Sequence, residues 1–283
     1  MAMFSFIPKF LGIILNFIYQ NLAFKNYGLA IILFTVFVKL LLLPLTIKQI
    51  KSTAKMQELQ PIIQDLQRKY KNDPSKLNEE LMKLYTEHKY NPASGCLPLL
   101  VQLPILFSLI YVIGQPLTYM FGYSKEEIAS YLSSVPAENA ISGFYAQLGA
   151  VNYHNILNMK FFGLDLGLVP TLNTKILFGP NMAIYLPLLI LPILSVTSTI
   201  LSNKLMMMST MRKNDDNKND KSQDVAVAMN RNMAIIAPLM TLWVSFQFPA
   251  GLGLYWFTSN VFQIFQQLYI NKYIVNKKEV KEG

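Results

Sequence analysis

Five long apolar runs alternate with polar stretches along the chain, at 27–46, 97–117, 183–201, 233–248 and 252–270. Each is near the length that a helix needs to cross a bilayer. The last two are separated only by Pro249, Ala250 and Gly251, which reads as a tight outer turn (249–251). Between the first and second runs, 47–96 is polar but patterned. Met56, Leu59, Ile63, Leu66 and Tyr70 step alternately by three and four and form an apolar helical seam. Asp73 can then cap a second helix with Pro74 in its first position, and Leu77, Leu81 and Leu84 continue a seam along it. Two antiparallel helices joined by a short turn are expected, with Pro61 kinking the first. The opening segment, 1–26, carries Ser5, Lys9, Gly12, Asn16 and Gln20 at helical spacing on an otherwise apolar helix. That pattern suits an amphipathic helix lying in the membrane interface. A sixth span or an uncleaved signal are the other readings of it.

Composition agrees with a membrane protein: 52% of residues are hydrophobic and 14% charged, against about 25% charged in soluble domains. The net charge of +9 invites a nucleic-acid reading until the cations are located. Nineteen of the 25 Lys and Arg fall in 47–96, 202–232 and 271–283, and only three in the long connection 118–182. Cationic loops stay in the cytoplasm. The charge is therefore mostly a topological bias, with the N-terminus outside, the C-terminus inside and 118–182 extracytoplasmic. No nucleic-acid role is expected. The expected class is an all-α polytopic protein of five transmembrane helices with a cytoplasmic antiparallel helical hairpin.

Chemistry is sparse. One cysteine (Cys96) allows no internal disulfide. His88 and His154 show no metal-ligand spacing, and there is no G-x-S-x-G, H-E-x-x-H or P-loop. No catalytic residue, metal or cofactor is expected. The exception to the sparseness is Lys39, inside the first apolar run. Placed about seven residues from the inner end of a helix ending near 46, its stem could snorkel to the surface. Other inner-half positions are polar as well: Gln102, then Thr197, Ser198 and Thr199, then Gln263, Gln266 and Gln267. Polar groups in hydrocarbon need a partner or water. Bonds between helices would explain one or two of them. A cation among so many points to a wet groove opening to the cytoplasm, which could ease a polar chain segment partway into the membrane.

The stretch "VKLLLLPLTIKQIKSTAKMQELQPIIQDLQRKYKNDPSKLNEELMKLY", followed by "NPASGCLPLLVQLPILFSLIYVI", resembles the YidC insertases of bacteria, relatives of the mitochondrial Oxa and chloroplast Albino proteins. "FPAGLGLYWFTSNVFQIFQQ" is similar to their last hairpin. The resemblance implies insertion and folding of small membrane proteins through a positively charged inner-leaflet groove, without ATP. It implies that Lys39 stands where the family has arginine, and that Thr35, Tyr255 and Trp256 lie on the substrate path. Gln102, Ser198, Gln263 and Gln267 are the other candidates for its lining. Implied partners are nascent membrane proteins and lipid; contact with a Sec translocon or a ribosome would use the hairpin. A single chain, working as a monomer in the bacterial plasma membrane, supplies the whole groove. The large extracytoplasmic domain of Gram-negative members is missing, which suggests a Gram-positive type. A secondary transporter or channel is the alternative, although no internal repeat supports it.

Overall fold

The computed structural model describes residues 2–91, 97–137, 141–211, 224–270 and 272. Helices dominate it, and the chain divides into two compact units. The first gathers Met1–Leu40, Val101–Thr199 and Pro238–Phe262; the second gathers Leu41–Leu100, Ile200–Ala237 and Gln263–Gly283.

In the first unit, α1 (Ala2–Asn21) packs against α6 (Pro116–Tyr119). The polar stripe explains how. Gly12 is buried, and a Cβ there would run into the carbonyl oxygen of Tyr119, so the two backbones meet where no side chain intervenes. Leu11, Leu15, Ile18 and Tyr19 are buried around it, while Phe10, Ile13 and Phe17 are exposed on the far side. Part of the stripe thus serves docking, and the outward face is apolar.

After α1 the chain reverses and α2 (Tyr27–Leu41) begins. The Asn26 side chain caps α2 by accepting from Leu29 N at 3.0 Å, and its amide donates to Lys160 O at 3.1 Å. Tyr27 N donates to Asn158 O at 3.0 Å, and Asn158 N donates to the Tyr19 hydroxyl at 3.0 Å. Those contacts fasten a small antiparallel hairpin, β1 (Lys160–Phe161) and β2 (Leu164–Asp165), to the α1–α2 turn. Just beyond the hairpin, the carbonyls of Leu166 and Leu168 accept from Gly251 N (2.9 Å) and Ala250 N (2.8 Å) at the start of α13 (Ala250–Ile270). The expected extracytoplasmic connection is thereby tied to the starts of α2 and α13. It also contains α7 (Lys125–Ser133), closed by a complete Ser124–Glu127 capping box, and α8 (Ala146–Tyr153).

In the second unit, α3 (Leu43–Lys69) and α4 (Pro74–Glu87) form the expected hairpin of helices. Leu59, Ile63 and Leu84 make its core, with Met56, Leu66, Leu81 and Tyr85 packed around them. Asp73 caps α4, its carboxylate accepting from Lys76 N at 3.0 Å, with Pro74 in the first turn. Pro61, where a kink is expected, lies inside α3, which stays helical through it to Lys69. A boundary appears instead at Leu42, where the sequence suggested continuous helix to 46. Pro44 has no N–H to offer the Leu40 carbonyl, and α2 stops at Leu41.

The remaining long helices are α5 (Leu97–Gly114), α11 (Ile190–Met211) and α12 (Asp224–Ser245), with the short α9 (Thr174–Leu177) and α10 (Met182–Leu188) leading into α11. Among the described residues, Met182–Met206 alone is long and apolar enough to cross a membrane as one helix. Tyr27–Leu41 with Leu43–Ser52 qualifies as a broken pair, and Leu103–Gly114 and Ile235–Ser245 are apolar but shorter.

Candidate functional site

Lys39 occupies the last turn of α2 and is half-buried. The break at Leu42 alters its setting. A helix ending at Leu41 leaves its final carbonyls without helical donors, and that end carries a partial negative charge. A cation in the last turn is favoured there. The sequence reading, which set Lys39 in mid-helix, missed this source of support. Lys39 makes no hydrogen bond or ion pair with a described residue. Nor do the five apolar runs contain any Asp or Glu, so these runs supply no counter-charge.

Thr35, one turn earlier, is completely buried, and its hydroxyl donates to the Ile31 carbonyl at 2.7 Å. Tyr255 is buried and Trp256 half-buried on α13. Further along that helix, Gln263 is half-buried and Gln267 buried. Their neighbour Gln266 is buried too, with its amide nitrogen lacking a partner among the described residues. Gln102 lies on α5, but its side chain falls outside the described residues, as does all of Cys96.

Ser198 belongs to a tight polar cluster between helices. Ser195 Oγ on α11 donates to Gly253 O on α13 at 3.1 Å. The Ser195 carbonyl accepts from Ser198 Oγ at 2.9 Å and from Thr199 Oγ1 at 2.8 Å. Both hydroxyl protons are thereby committed, leaving their oxygens as acceptors. The Asn260 amide meets both acceptors, donating to Ser198 Oγ at 3.1 Å and to Thr199 Oγ1 at 2.8 Å. Thr241 Oγ1 on α12 lies 3.4 Å from Thr199 Oγ1 and extends the cluster to a third helix. Ser198 is thus engaged in joining helices. Asn260, Ser195 and Thr241 were not singled out from the sequence. Asn260, a strong donor and acceptor on an apolar helix, was the available signal.

The sequence can now be set beside known proteins. The family described as 60Kd inner membrane protein matches residues 17–278, nearly the whole chain. The chain belongs to this family. It is the YidC/Oxa family, as the hairpin and last-span motifs suggested. A membrane protein insertase YidC of Caldanaerobacter subterraneus subsp. tengcongensis is 34% identical over 261 residues, covering 92% of each chain. One of Fusobacterium nucleatum is 32% identical over 269 residues, 95% of this chain and 97% of its own. One of Clostridium perfringens is 37% identical over 258 residues, 91% and 83% respectively. YidC/Oxa membership makes the chain a bacterial inner membrane protein.

Proposed function

We propose that this protein is a membrane protein insertase and folding chaperone. It has five spans, a cytoplasmic helical hairpin, an N-terminus outside and a C-terminus inside. The observation that carries the mechanism is Lys39: the one formal charge within the five apolar runs, with no carboxylate in any of them to neutralise it. A charge left unpaired in hydrocarbon is costly unless water or a transient partner reaches it. An inner-leaflet groove would supply the water, and an acidic group on an incoming client would be the partner. With ~4 Å between them, the attraction is about 1 kcal/mol in water and about 4 kcal/mol at an effective dielectric constant of 20. That is enough to bias a client into the groove and weak enough to release it.

Thr35, Tyr255 and Trp256 line the client's path in this reading, and Gln102, Gln263 and Gln267 hold water along it. Ser198 belongs to the clamp that keeps the wall in place. Release is sideways into lipid, and the driving force is burial of the client's apolar helix, so no nucleotide is consumed. The sequence contains no P-loop to bind one. Clients, lipid and, through the hairpin, a ribosome or a Sec translocon are the partners of this scheme. One chain is sufficient for a groove.

Proteoliposomes containing only this protein test the reading. A single-span client with a short acidic outer segment should become protected from protease above the level in empty liposomes. Equal protection in both, with the protein folded, would contradict the reading. Small-solute flux without insertion would move the assignment to the transporter class.

A further inference from the structure

Two phenylalanines are displayed to the exterior by backbone that disfavours them. Phe24 is 91% exposed with φ +49°, and Phe162 is 92% exposed with φ +47°. A bulky side chain in the left-handed region is a genuine outlier. Phe162 shares the two-residue hairpin loop with Gly163 (φ +82°), where Asn-Gly would be the favoured pair. Phe24 shares the reversal after α1 with Lys25 (φ +54°), where Gly or Asn is usual.

The two turns are bolted together. Asn26 holds Lys160, and Tyr27 holds Asn158, through the hydrogen bonds already described. Beneath them, Phe161 packs where a Cβ on Gly28 would otherwise lie, and the Phe162 ring meets Phe161 edge-on with centroids 4.6 Å apart. Inner ring, outer ring and glycine form one stack at the Tyr27 end of α2. Lys25, next to Phe24, and Lys160, two residues before Phe162, are both exposed; Asp165, opposite Lys160 in the hairpin, is half-buried and accepts from Asn152 Nδ2 and Gly167 N.

We propose that Phe24 and Phe162 are a paired membrane wedge. Their rings enter the headgroup layer of the leaflet at the Tyr27 end of α2, while Lys25 and Lys160 meet lipid phosphates. The occupant is an anionic lipid surface for two reasons. The exposed charges beside the rings are both positive, and Phe24 directly follows α1, whose outward face exposes Phe10, Ile13 and Phe17. Lys39 lies twelve residues beyond Tyr27 on the same helix, about 18 Å at 1.5 Å per residue. The wedge therefore sets the depth at which Lys39 is held. The proposal rests on α2 crossing the bilayer, as proposed above.

The test places a nitroxide at Phe24→Cys or Phe162→Cys, in a Cys96→Ser background, in vesicles of phosphatidylglycerol and phosphatidylethanolamine. Collision with oxygen is compared with collision with a water-soluble nickel chelate, and Ser133→Cys on exposed α7 serves as the aqueous control. Both wedge labels should favour oxygen and the control nickel, at one protein per vesicle as well as at high density. Nickel-accessible wedge labels would overturn the proposal, as would shielding that appears only at high density, which would assign the rings to a second copy. A further label at Phe37→Cys, exposed on α2, should move several ångström in depth when Phe24 and Phe162 are both replaced by Ser. An unchanged depth would overturn the depth-setting role. A Phe37 label that reads as aqueous with the wedge intact would mean that α2 is not a span, a distinct failure.

Discussion

Asn260 spends its amide on two hydroxyls whose own protons are already committed to the Ser195 carbonyl. Replacing it with Leu keeps the bulk but strips Ser198 and Thr199 of their donor. Polar contacts between membrane helices average about 0.6 kcal/mol and reach about 1.7 kcal/mol. Asn260→Leu should therefore lower stability by about 1–2 kcal/mol, read as a lower Tm in detergent, and Asn260→Ala should cost more through the added cavity. An Asn260→Leu protein as stable as wild type would show the cluster to be incidental. The same residue marks where sequence reading stops. That Ser198 and Thr199 are polar on an apolar helix was plain, and it required partners. It did not name Asn260 as the partner, because that depends on how two helices lie side by side.

For whole elements, legibility followed periodicity. The α3–α4 hairpin was readable because its apolar positions repeat over several turns and Asp73–Pro74 marks a helix start. The end of α2 was not, because hydropathy reports affinity for lipid whereas a helix ends where backbone hydrogen bonds end. Leu41 to Leu43 are as apolar as their neighbours, and only Pro44 carries the signal. The docking of α1 was hidden for a related reason: Gly12 looked like a polar-stripe residue and proves to be a point of close backbone approach. Gly12→Val should overpack that contact at a cost of about 1–3 kcal/mol. It should show as earlier protease cleavage in the turn between α1 and α2; unchanged cleavage would mean that α1 is held elsewhere. On α4, Lys83 contacts Glu79 at 2.8 Å and Glu80 at 2.9 Å, and its hydrogen bond holds the Glu79 carboxyl below its ordinary range. A lowered carboxyl stabilises the fold above its unfolded pKa, and that support disappears as pH falls through the lowered value. Both groups are exposed, so the effect is small and fades with salt. Any stability gap between wild type and Lys83→Met at neutral pH should close only as pH falls below the ordinary glutamate range, under about pH 4. A gap of the same size at both pH values would assign it to packing of the lysine stem.

At the scale of the whole molecule, the described apolar helices turn large apolar side chains outward, unlike those of a soluble protein. Ile193, Ile200, Leu239, Met240, Trp243, Phe265 and Leu268 are all exposed, which in water would be an aggregation hazard and in lipid is the expected exterior. The single formal charge within the apolar runs is the counterpart of that exterior, and the insertase reading depends on it. The direct test measures protease protection of an acidic single-span client in proteoliposomes of wild type, Lys39→Arg and Lys39→Ala. It is repeated with the client's outer Asp and Glu changed to Asn and Gln. The account predicts that wild type and Lys39→Arg insert the acidic client alike and that Lys39→Ala loses about tenfold, the equivalent of about 1.4 kcal/mol. The neutral client should be nearly indifferent to all three. Equal insertion of the acidic client by all three proteins would contradict the claim that Lys39 is the attracting charge.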